Sequence, residues 1–197
     1  MAKLTLDDIA DLRAYERERD AFRRRVIALK QRRRVPLGQI LTLLFENRDT
    51  IRFQVQEMAR VEKIISDEGI QAELDVYNPL IPGPGQLSAT LFVELTSREE
   101  LERWLPRLVG IERSVGLRLA DGELVAATVE EAHAEQLTRD EVTASVHYLR
   151  WDMTPSQVER FDAGPVSAVV DHPAYRAETP LADDTLAELR ADLRGGG

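Results

Sequence analysis

The chain has 197 residues and a mass of 22.3 kDa, which suits one globular domain better than two. Its 43% hydrophobic and 31% charged residues are typical of a folded soluble protein and exclude a disordered one. The absence of cysteine excludes disulfides, thiol catalysis, zinc fingers and a self-ligated iron–sulfur cluster. No apolar run is long enough for a membrane span or a secretory leader, so we expect a cytoplasmic protein.

The charge is unevenly distributed along the chain, although the net value is −9. Residues 1–65 hold 15 Lys and Arg against 10 Asp and Glu, whereas the remaining residues hold 11 against 25. A basic front on an acidic body indicates a docking surface for an acidic partner, because complementary potentials steer encounter. The acidic body disfavours nucleic acid as a partner, since it would repel the phosphate backbone.

The first third of the chain reads as helical. Thr5, followed by acidic residues, predicts the start of a long helix that continues to about Arg34, and Pro36 stops it. Its apolar positions recur at helical spacing: Leu12, Tyr15, Phe22, Val26 and Leu29. Residues 40–45 are apolar and fit either a strand or a buried helix segment. The long helix could also self-associate, so a homo-oligomer is an alternative to a monomer.

Two shorter helices and a stiff loop follow. Asp49 or Thr50 predicts the cap of a helix over residues 51–65, with Val61 and Ile65 on its apolar stripe. Ser66 predicts the cap of another helix that ends near Tyr77. Residues 78–85 contain three prolines and two glycines, which indicates a loop.

The second half alternates apolar and polar residues, which is typical of strands. The predicted strands cover residues 87–95, 111–119, 124–129, 142–151 and 165–171. Helices are predicted at residues 97–109, after Thr154 and at residues 183–193. The fold class is therefore α+β, with one long and two shorter helices packed on a mostly antiparallel sheet. We expect one domain, residues 1–197, made of a basic helix (1–35), a helical segment with its loop (36–86) and a β-rich body (87–197).

A metal site is the first chemical alternative. With three histidines and no cysteine, such a site must use carboxylates, which would suit iron or manganese. The candidate ligands are Glu46, Glu57, Glu62, Glu73 and His172. Glu62 lies on the predicted apolar stripe of the second helix, so an ion pair with Arg33 or Arg34 is the favoured structural interpretation. His133 is expected in solvent.

Two arginine triplets are the second chemical feature. Residues 23–25 and 32–34 fit either a solvated helix face or a grip for an anion or an acidic protein. The candidate docking residues are Arg23, Arg24, Arg32, Arg33, Arg34, Arg52, Tyr77 and Asn78. An anion- or nucleotide-binding module that uses residues 32–34 and Arg52 is an alternative. The common nucleotide, hydrolase and zincin motifs do not occur, which lowers the expectation of an enzyme.

Several strings resemble an uncharacterised bacterial family, a domain of unknown function. They are KLTLDDIADLRAYERERDAFRRRVIALKQRRRV, LFENRDTIRFQVQEMARVEKI, ELDVYNPLIPGPGQLSATLFVEL, VHYLRW and DHPAY, and together they cover nearly the whole chain. Members of that family are commonly encoded beside rubrerythrin-like proteins and cysteine-rich iron–sulfur oxidoreductases. The resemblance implies a role in peroxide defence or iron-linked electron transfer, and it supplies no catalytic residues.

The leading hypothesis combines the resemblance with the charge pattern. It describes a non-catalytic accessory protein that docks a rubrerythrin-like protein or an iron–sulfur oxidoreductase through residues 23–34. The loop at residues 77–85 would form a second contact. The alternatives are an iron- or manganese-binding protein and an anion-binding module.

Overall fold

The structure, a computed structural model, describes residues 1–129 and 142–195. Within these residues, six α-helices accompany two antiparallel sheets. The predicted α+β class, with a long helix near the N-terminus, is confirmed. None of the helices in the described ranges combines the length and the apolar character needed to cross a membrane. His133 lies outside the described residues.

The helices and strands take the following bounds. The helices are α1 (Leu12–Arg33), α2 (Arg48–Glu62), α3 (Asp67–Tyr77), α4 (Arg98–Trp104), α5 (Pro155–Ala163) and α6 (Asp183–Leu193). The strands are β1 (Arg34–Leu37), β2 (Leu41–Phe45), β3 (Gln86–Val93), β4 (Val115–Arg118), β5 (Leu124–Ala126), β6 (Thr128–Val129), β7 (Val146–Asp152), β8 (Ser167–His172) and β9 (Tyr175–Pro180).

The two sheets pack face to face around the main core. The first sheet has the strand order β1-β2-β3-β7-β6 and the second the order β5-β4-β8-β9. Leu91 and Trp151 of the first sheet share one buried cluster with Leu117 and Val170 of the second. Period-two alternation along each strand supplies these inward side chains, which is the basis of a two-sheet core.

Helices occupy the other side of the first sheet. α1 contacts α2, β2 and α6. Ile51 and Val55 of α2 form a buried cluster with Leu74 of α3 and with the chain that follows it. Tyr148, on β7, packs against this cluster. The helical layer thus rests on the first sheet through α2 and α3, and α1 lies where it can present one long face outward.

α1 begins later than the sequence predicts. Thr5 caps only a 3₁₀ turn (Leu6–Asp8), and the helix starts after Asp11, whose carboxylate accepts the amides of Arg13 and Ala14. The buried amide of Gln56 accounts for the interruption. It accepts the N–H of Ala10 at 3.0 Å and donates to the Ala10 carbonyl at 2.8 Å, so this peptide is held outside the helix.

α2 also differs from its predicted form. Asn47, rather than Asp49 or Thr50, is the N-cap, and it accepts the N–H of Thr50. Val61 lies within the helix but away from its buried face and is 64% exposed, whereas Ile65 lies beyond the helix end at Glu62 and is 85% exposed. The buried face is formed instead by Ile51, Val55, Gln56 and Ala59.

The sequence pattern did not predict two short strands, β1 and β9, or one 3₁₀ turn. β1 follows directly after α1, and its Pro36 is tolerated because β1 is an edge strand of its sheet. β9 pairs with β8. It is also linked to β1, because the Thr179 hydroxyl of β9 donates a hydrogen bond to the backbone carbonyl of Pro36 at 2.6 Å. Residues 111–114, predicted as strand, form a 3₁₀ turn before β4.

Gly38 holds the tight turn between β1 and β2. Its φ is +69°, and an added Cβ would collide with the Tyr175 hydroxyl, which is fixed by bonds to the Leu37 carbonyl and the Gln39 N–H, both at 2.8 Å. We expect Gly38→Ala to lower the free energy of unfolding by about 2 kcal/mol. Gly122→Ala, with a φ of +89° and open space around it, should cost about 1 kcal/mol. Equal losses in urea unfolding would show that the collision is relieved without cost.

Candidate functional site

The arginines of the second triplet are bonded within the molecule. Arg33 is 1% exposed and donates two hydrogen bonds to Asp192, at 2.7 and 2.9 Å. Arg32 pairs with Glu188 at 2.8 Å, and Arg34 pairs with Glu94. Arg33 therefore cannot contact a partner, which corrects its prediction as a docking residue.

The first triplet is arranged differently. Arg23, Arg24 and Arg25 are exposed on α1. Within the described parts of the chain, neither Arg23 nor Arg24 forms an ion pair, and the Arg25 guanidinium lies 5.5 Å from the centroid of the Phe22 ring. Ile27, one turn further, is 41% exposed. These guanidinium groups are solvated and accessible to a partner.

An aromatic and cationic layer supports this part of α1. The rings of Phe22 and Phe53 stand edge to face at 5.7 Å between centroids. The Arg52 guanidinium lies 4.9 Å from the Phe22 centroid, and the Lys30 ammonium lies 5.6 Å from that of Phe53. Because these contacts lock α1 against α2, the charges on the outer side of α1 sit on a rigid support.

We call the part of α1 formed by the exposed residues Arg23, Arg24, Arg25 and Ile27, together with the half-buried Lys30, the basic face. It carries four cationic side chains and one large aliphatic side chain within about two helical turns. Beside it, a surface hollow of about 360 Å³ opens between Phe22, Leu29 and Asp49. This arrangement can bind an acidic surface that also offers an apolar contact.

Three other predicted docking residues, Asn78, Arg52 and Tyr77, bond to the N-terminal segment or pack against the apolar cluster beside it. Asn78 accepts the Leu4 N–H at 2.8 Å and donates to the Leu4 carbonyl at 2.9 Å. Arg52 donates to the Asp8 carbonyl at 2.8 Å, and Tyr77 packs against the apolar cluster of α2 and α3. The N-terminal segment thus contacts the loop at residues 78–81, and Leu80 and Ile81 in that loop are buried.

Glu57 is the centre of an ion-pair network rather than a free ligand. It accepts from the Tyr15 hydroxyl at 2.7 Å and from two nitrogens of Arg19 at 2.8 and 2.9 Å. The Arg60 guanidinium lies at 3.3 Å. The hydrogen bonds from Arg19, reinforced by Tyr15 and Arg60, hold the pKa of Glu57 at about 2.

Glu46 is buried at the start of α2. Its carboxylate accepts the Thr50 hydroxyl at 2.5 Å and the Thr90 hydroxyl at 2.6 Å. The N-terminal end of a helix favours a negative charge at this place. Glu46 therefore joins α2 to β3, and its hydrogen-bond partners differ from those of Glu57.

The remaining candidate ligands lie on other elements. Glu62 is exposed and not paired with Arg33 or Arg34, so that predicted ion pair is wrong. Burial and the neighbouring Glu62 raise the pKa of Glu73, which lies on α3. His172 ends β8, where Nε2 lies 3.1 Å from the Val109 carbonyl oxygen and Nδ1 accepts the Ala174 N–H at 3.2 Å.

The five predicted ligands are thus not brought together. In the parts of the chain that the structure describes, no three His, Asp or Glu side chains form a group that could hold a metal ion. Iron or manganese binding stays a prediction. Anion binding by residues 32–34 and Arg52 also stays a prediction, although those guanidinium groups already have partners within the chain.

Glu112 and His147 form a buried acid–histidine pair that the sequence pattern did not predict. Glu112 and His147 are 6% and 3% exposed, and Glu112 Oε2 lies 3.9 Å from His147 Nδ1. Burial lowers the pKa of His147, and the Glu112 charge opposes that effect. In a strand, Glu112 would have pointed away from Ile111, but the 3₁₀ turn buries both.

The sequence matches the model of a protein family of unknown function, DUF3501, over residues 3–193. The chain belongs to the DUF3501 family. This confirms the resemblance to an uncharacterised family. Among solved structures, a novel protein of unknown function from Burkholderia pseudomallei K96243 is similar, with 41% identity and a TM-score of 0.88. The match covers 98% of this chain and 100% of that one. Among curated proteins, none matches this sequence significantly.

Proposed function

We propose that this DUF3501 protein is a non-catalytic accessory protein that docks an acidic surface of a partner protein through its basic face. The observation that carries the proposal is the contrast between the two arginine triplets. Residues 32–34 are held by carboxylates of the same molecule, whereas Arg23 and Arg24 have no such carboxylate within the described residues. Unpaired cations on a rigid helix supply electrostatic steering toward an acidic partner.

The composition of the basic face supports a protein as the partner. Protein interfaces are enriched in arginine and in apolar anchors, and Ile27 offers such an anchor shortly after the three arginines of the basic face. The overall charge of −9 opposes a long anionic polymer, since the acidic body of the molecule would repel it. An acidic protein needs to approach only one side.

The partner we propose is a rubrerythrin-like protein or an iron–sulfur oxidoreductase of the same cell. This choice rests on the resemblance stated above, which implies peroxide defence or iron-linked electron transfer in the cytoplasm. The accessory protein would hold or orient the partner, and the redox chemistry would belong to the partner's own cofactors.

We expect Arg23→Glu together with Arg24→Glu to weaken binding of these partner proteins by more than about tenfold at low salt. The physical reason is that two attractive contacts become repulsive while the fold is unchanged, because both side chains are exposed. The measurement is isothermal titration calorimetry with each purified partner at two salt concentrations. Binding by the unchanged protein should itself fall as salt rises.

The matched control is Arg98→Glu together with Arg103→Glu on α4, which changes the net charge equally at two other exposed arginines. It should retain most of the affinity. If both double variants weaken binding equally, net charge rather than the basic face governs docking. If neither partner binds the unchanged protein, the proposed partner class is wrong.

A further inference from the structure

A second surface, opposite in charge to the basic face, lies where α2 meets α3. An apolar hollow of about 150 Å³ opens there, and its walls include Leu6, Ile9, Leu12, Ile64 and Ile70. Ile65, which also borders the hollow, is 85% exposed. A large aliphatic side chain this exposed, beside an apolar hollow, is typical of an interaction site.

The rim of this hollow is acidic. Asp11 and Asp67 border it, and Leu6 and Asp67 connect it with a second shallow hollow that follows α3. That second hollow is bordered by Glu68, Gln71, Ala72 and Asp75. No Lys or Arg lines either hollow among the residues that the structure describes.

The spacing on α3 makes these residues one continuous strip. Positions 68, 71, 72 and 75 recur at the three- and four-residue intervals of one helix face. Glu68 and Asp75 are separated by about 10 Å along the helix axis. This distance matches about two turns of a second helix lying alongside α3.

We propose that this surface, which we call the α3 groove, binds a cationic amphipathic helix of a partner protein. One apolar side chain of that helix enters the hollow between Leu6 and Ile70. Lysine or arginine side chains on either side of it contact Asp67, Glu68 and Asp75. A closed cavity of about 150 Å³ lined by aliphatic groups holds a molecule the size of benzene, so the hollow suits one leucine or phenylalanine side chain.

The occupant is defined by charge and by shape together. An acidic helix would face like charges along the whole groove, and a polar basic segment would leave the hollow and Ile65 in water. A cationic helix with an apolar face covers the apolar hollow and pairs with its acidic rim at the same time. The groove and the basic face use different residues, so each can be tested alone.

The experiment titrates the full-length protein into a fluorescein-labelled synthetic helix made only of leucine and lysine, with one leucine face, and follows fluorescence anisotropy. Leu6→Ser with Ile65→Ser removes exposed apolar surface that lines the groove, and Asp67→Asn with Glu68→Gln and Asp75→Asn removes the charges. Each variant should weaken binding by about tenfold or more. Leu124→Ser with Val142→Ser is the matched control, since both residues are also exposed, at 46% and 39%, and neither lines the groove.

Three results would overturn the proposal. The first is equal affinity of the synthetic helix for the unchanged protein and the Leu6/Ile65 variant. The second is equal affinity for a helix in which serine replaces leucine, which would mean attraction by charge alone. The third is self-association of the protein, seen by sedimentation and lost in the Leu6/Ile65 variant, which would assign the groove to a second copy of the chain. The Arg23/Arg24 variant should bind the synthetic helix normally, which separates this proposal from the proposed function.

Discussion

Asp192→Ala is expected to lower the free energy of unfolding by about 3 kcal/mol, because it removes both short hydrogen bonds of the buried Arg33 and leaves its charge only the Glu188 carboxylate, at 3.2 Å. Both side chains are almost fully buried, at 1% for Arg33 and 2% for Asp192. The pair joins the end of α1 to α6, residues that are 159 positions apart in the chain. Urea unfolding at pH 7, followed by circular dichroism, measures the loss.

The Arg33–Asp192 ion pair is expected to stabilise the fold little more than two apolar side chains at the same positions would. Burial raises the pKa of Asp192 even though Arg33 is bonded to it, so the desolvation of the carboxylate is not fully offset. Arg33 Nε is also buried without a hydrogen-bond partner. We therefore expect Arg33→Met combined with Asp192→Leu to recover most of the stability lost by Asp192→Ala.

An exposed ion pair provides the control for this prediction. Arg98 and Glu102 pair at 2.7 Å on α4 with 91% and 65% of their side chains exposed. Glu102→Ala should change the free energy of unfolding by less than about 1 kcal/mol. A loss at Asp192→Ala no larger than that at Glu102→Ala would mean that Glu188 or water compensates the Arg33 charge in the variant.

Glu57→Gln is expected to destabilise the protein by about 2 kcal/mol at pH 7, with a difference that disappears in acid. The pKa of Glu57 is lowered from 4.5 to about 2 in the folded protein by the hydrogen bonds from Arg19, Tyr15 and Arg60. A depressed folded pKa gives stability that is fully present above pH 4.5 and is lost as the pH falls toward 2. The expected loss is smaller than the full shift implies, because Glu57 remains 22% exposed.

The measurement compares the free energy of unfolding of the two proteins between pH 7 and pH 2.5. The difference between them should be constant down to about pH 5 and should shrink below it. Glu62→Gln on the same helix is the control, since Glu62 is exposed and should leave stability nearly unchanged at pH 7. A difference between the unchanged protein and Glu57→Gln that stays constant down to pH 2.5 would show that the lost stability comes from packing rather than from the carboxylate charge.

Sequence patterns predicted part of the candidate site. The two arginine triplets were visible as charge runs, but nothing in their composition separates one from the other. Arg23 and Arg24 face solvent, whereas Arg33 turns toward α6, because α1 contacts α6 and β2 near its C-terminal end. The sequence pattern placed Ile65 on the apolar stripe of α2. The helix ends at Glu62, so Ile65 lies beyond it and is exposed.

The sequence by itself determined those features whose causes lie within a few residues. Ser66, Ser97 and Thr154 each accept the backbone N–H three residues later, so these helix starts were predicted correctly. Alternation along residues 87–95 likewise predicted β3, which ends at Val93, because a strand directs alternate side chains to the same core.

Only the tertiary structure decided which charged and polar groups meet. Gln56 interrupts the helix before Leu12 from 46 positions away, and Asp192 buries Arg33 from 159 positions away. Such pairings depend on distances that the packing of α1, α2 and α6 sets, and sequence spacing does not contain them. The physical reason is that burying a charge is costly unless a partner is present, so the fold determines which arginines are buried with a carboxylate and which stay exposed.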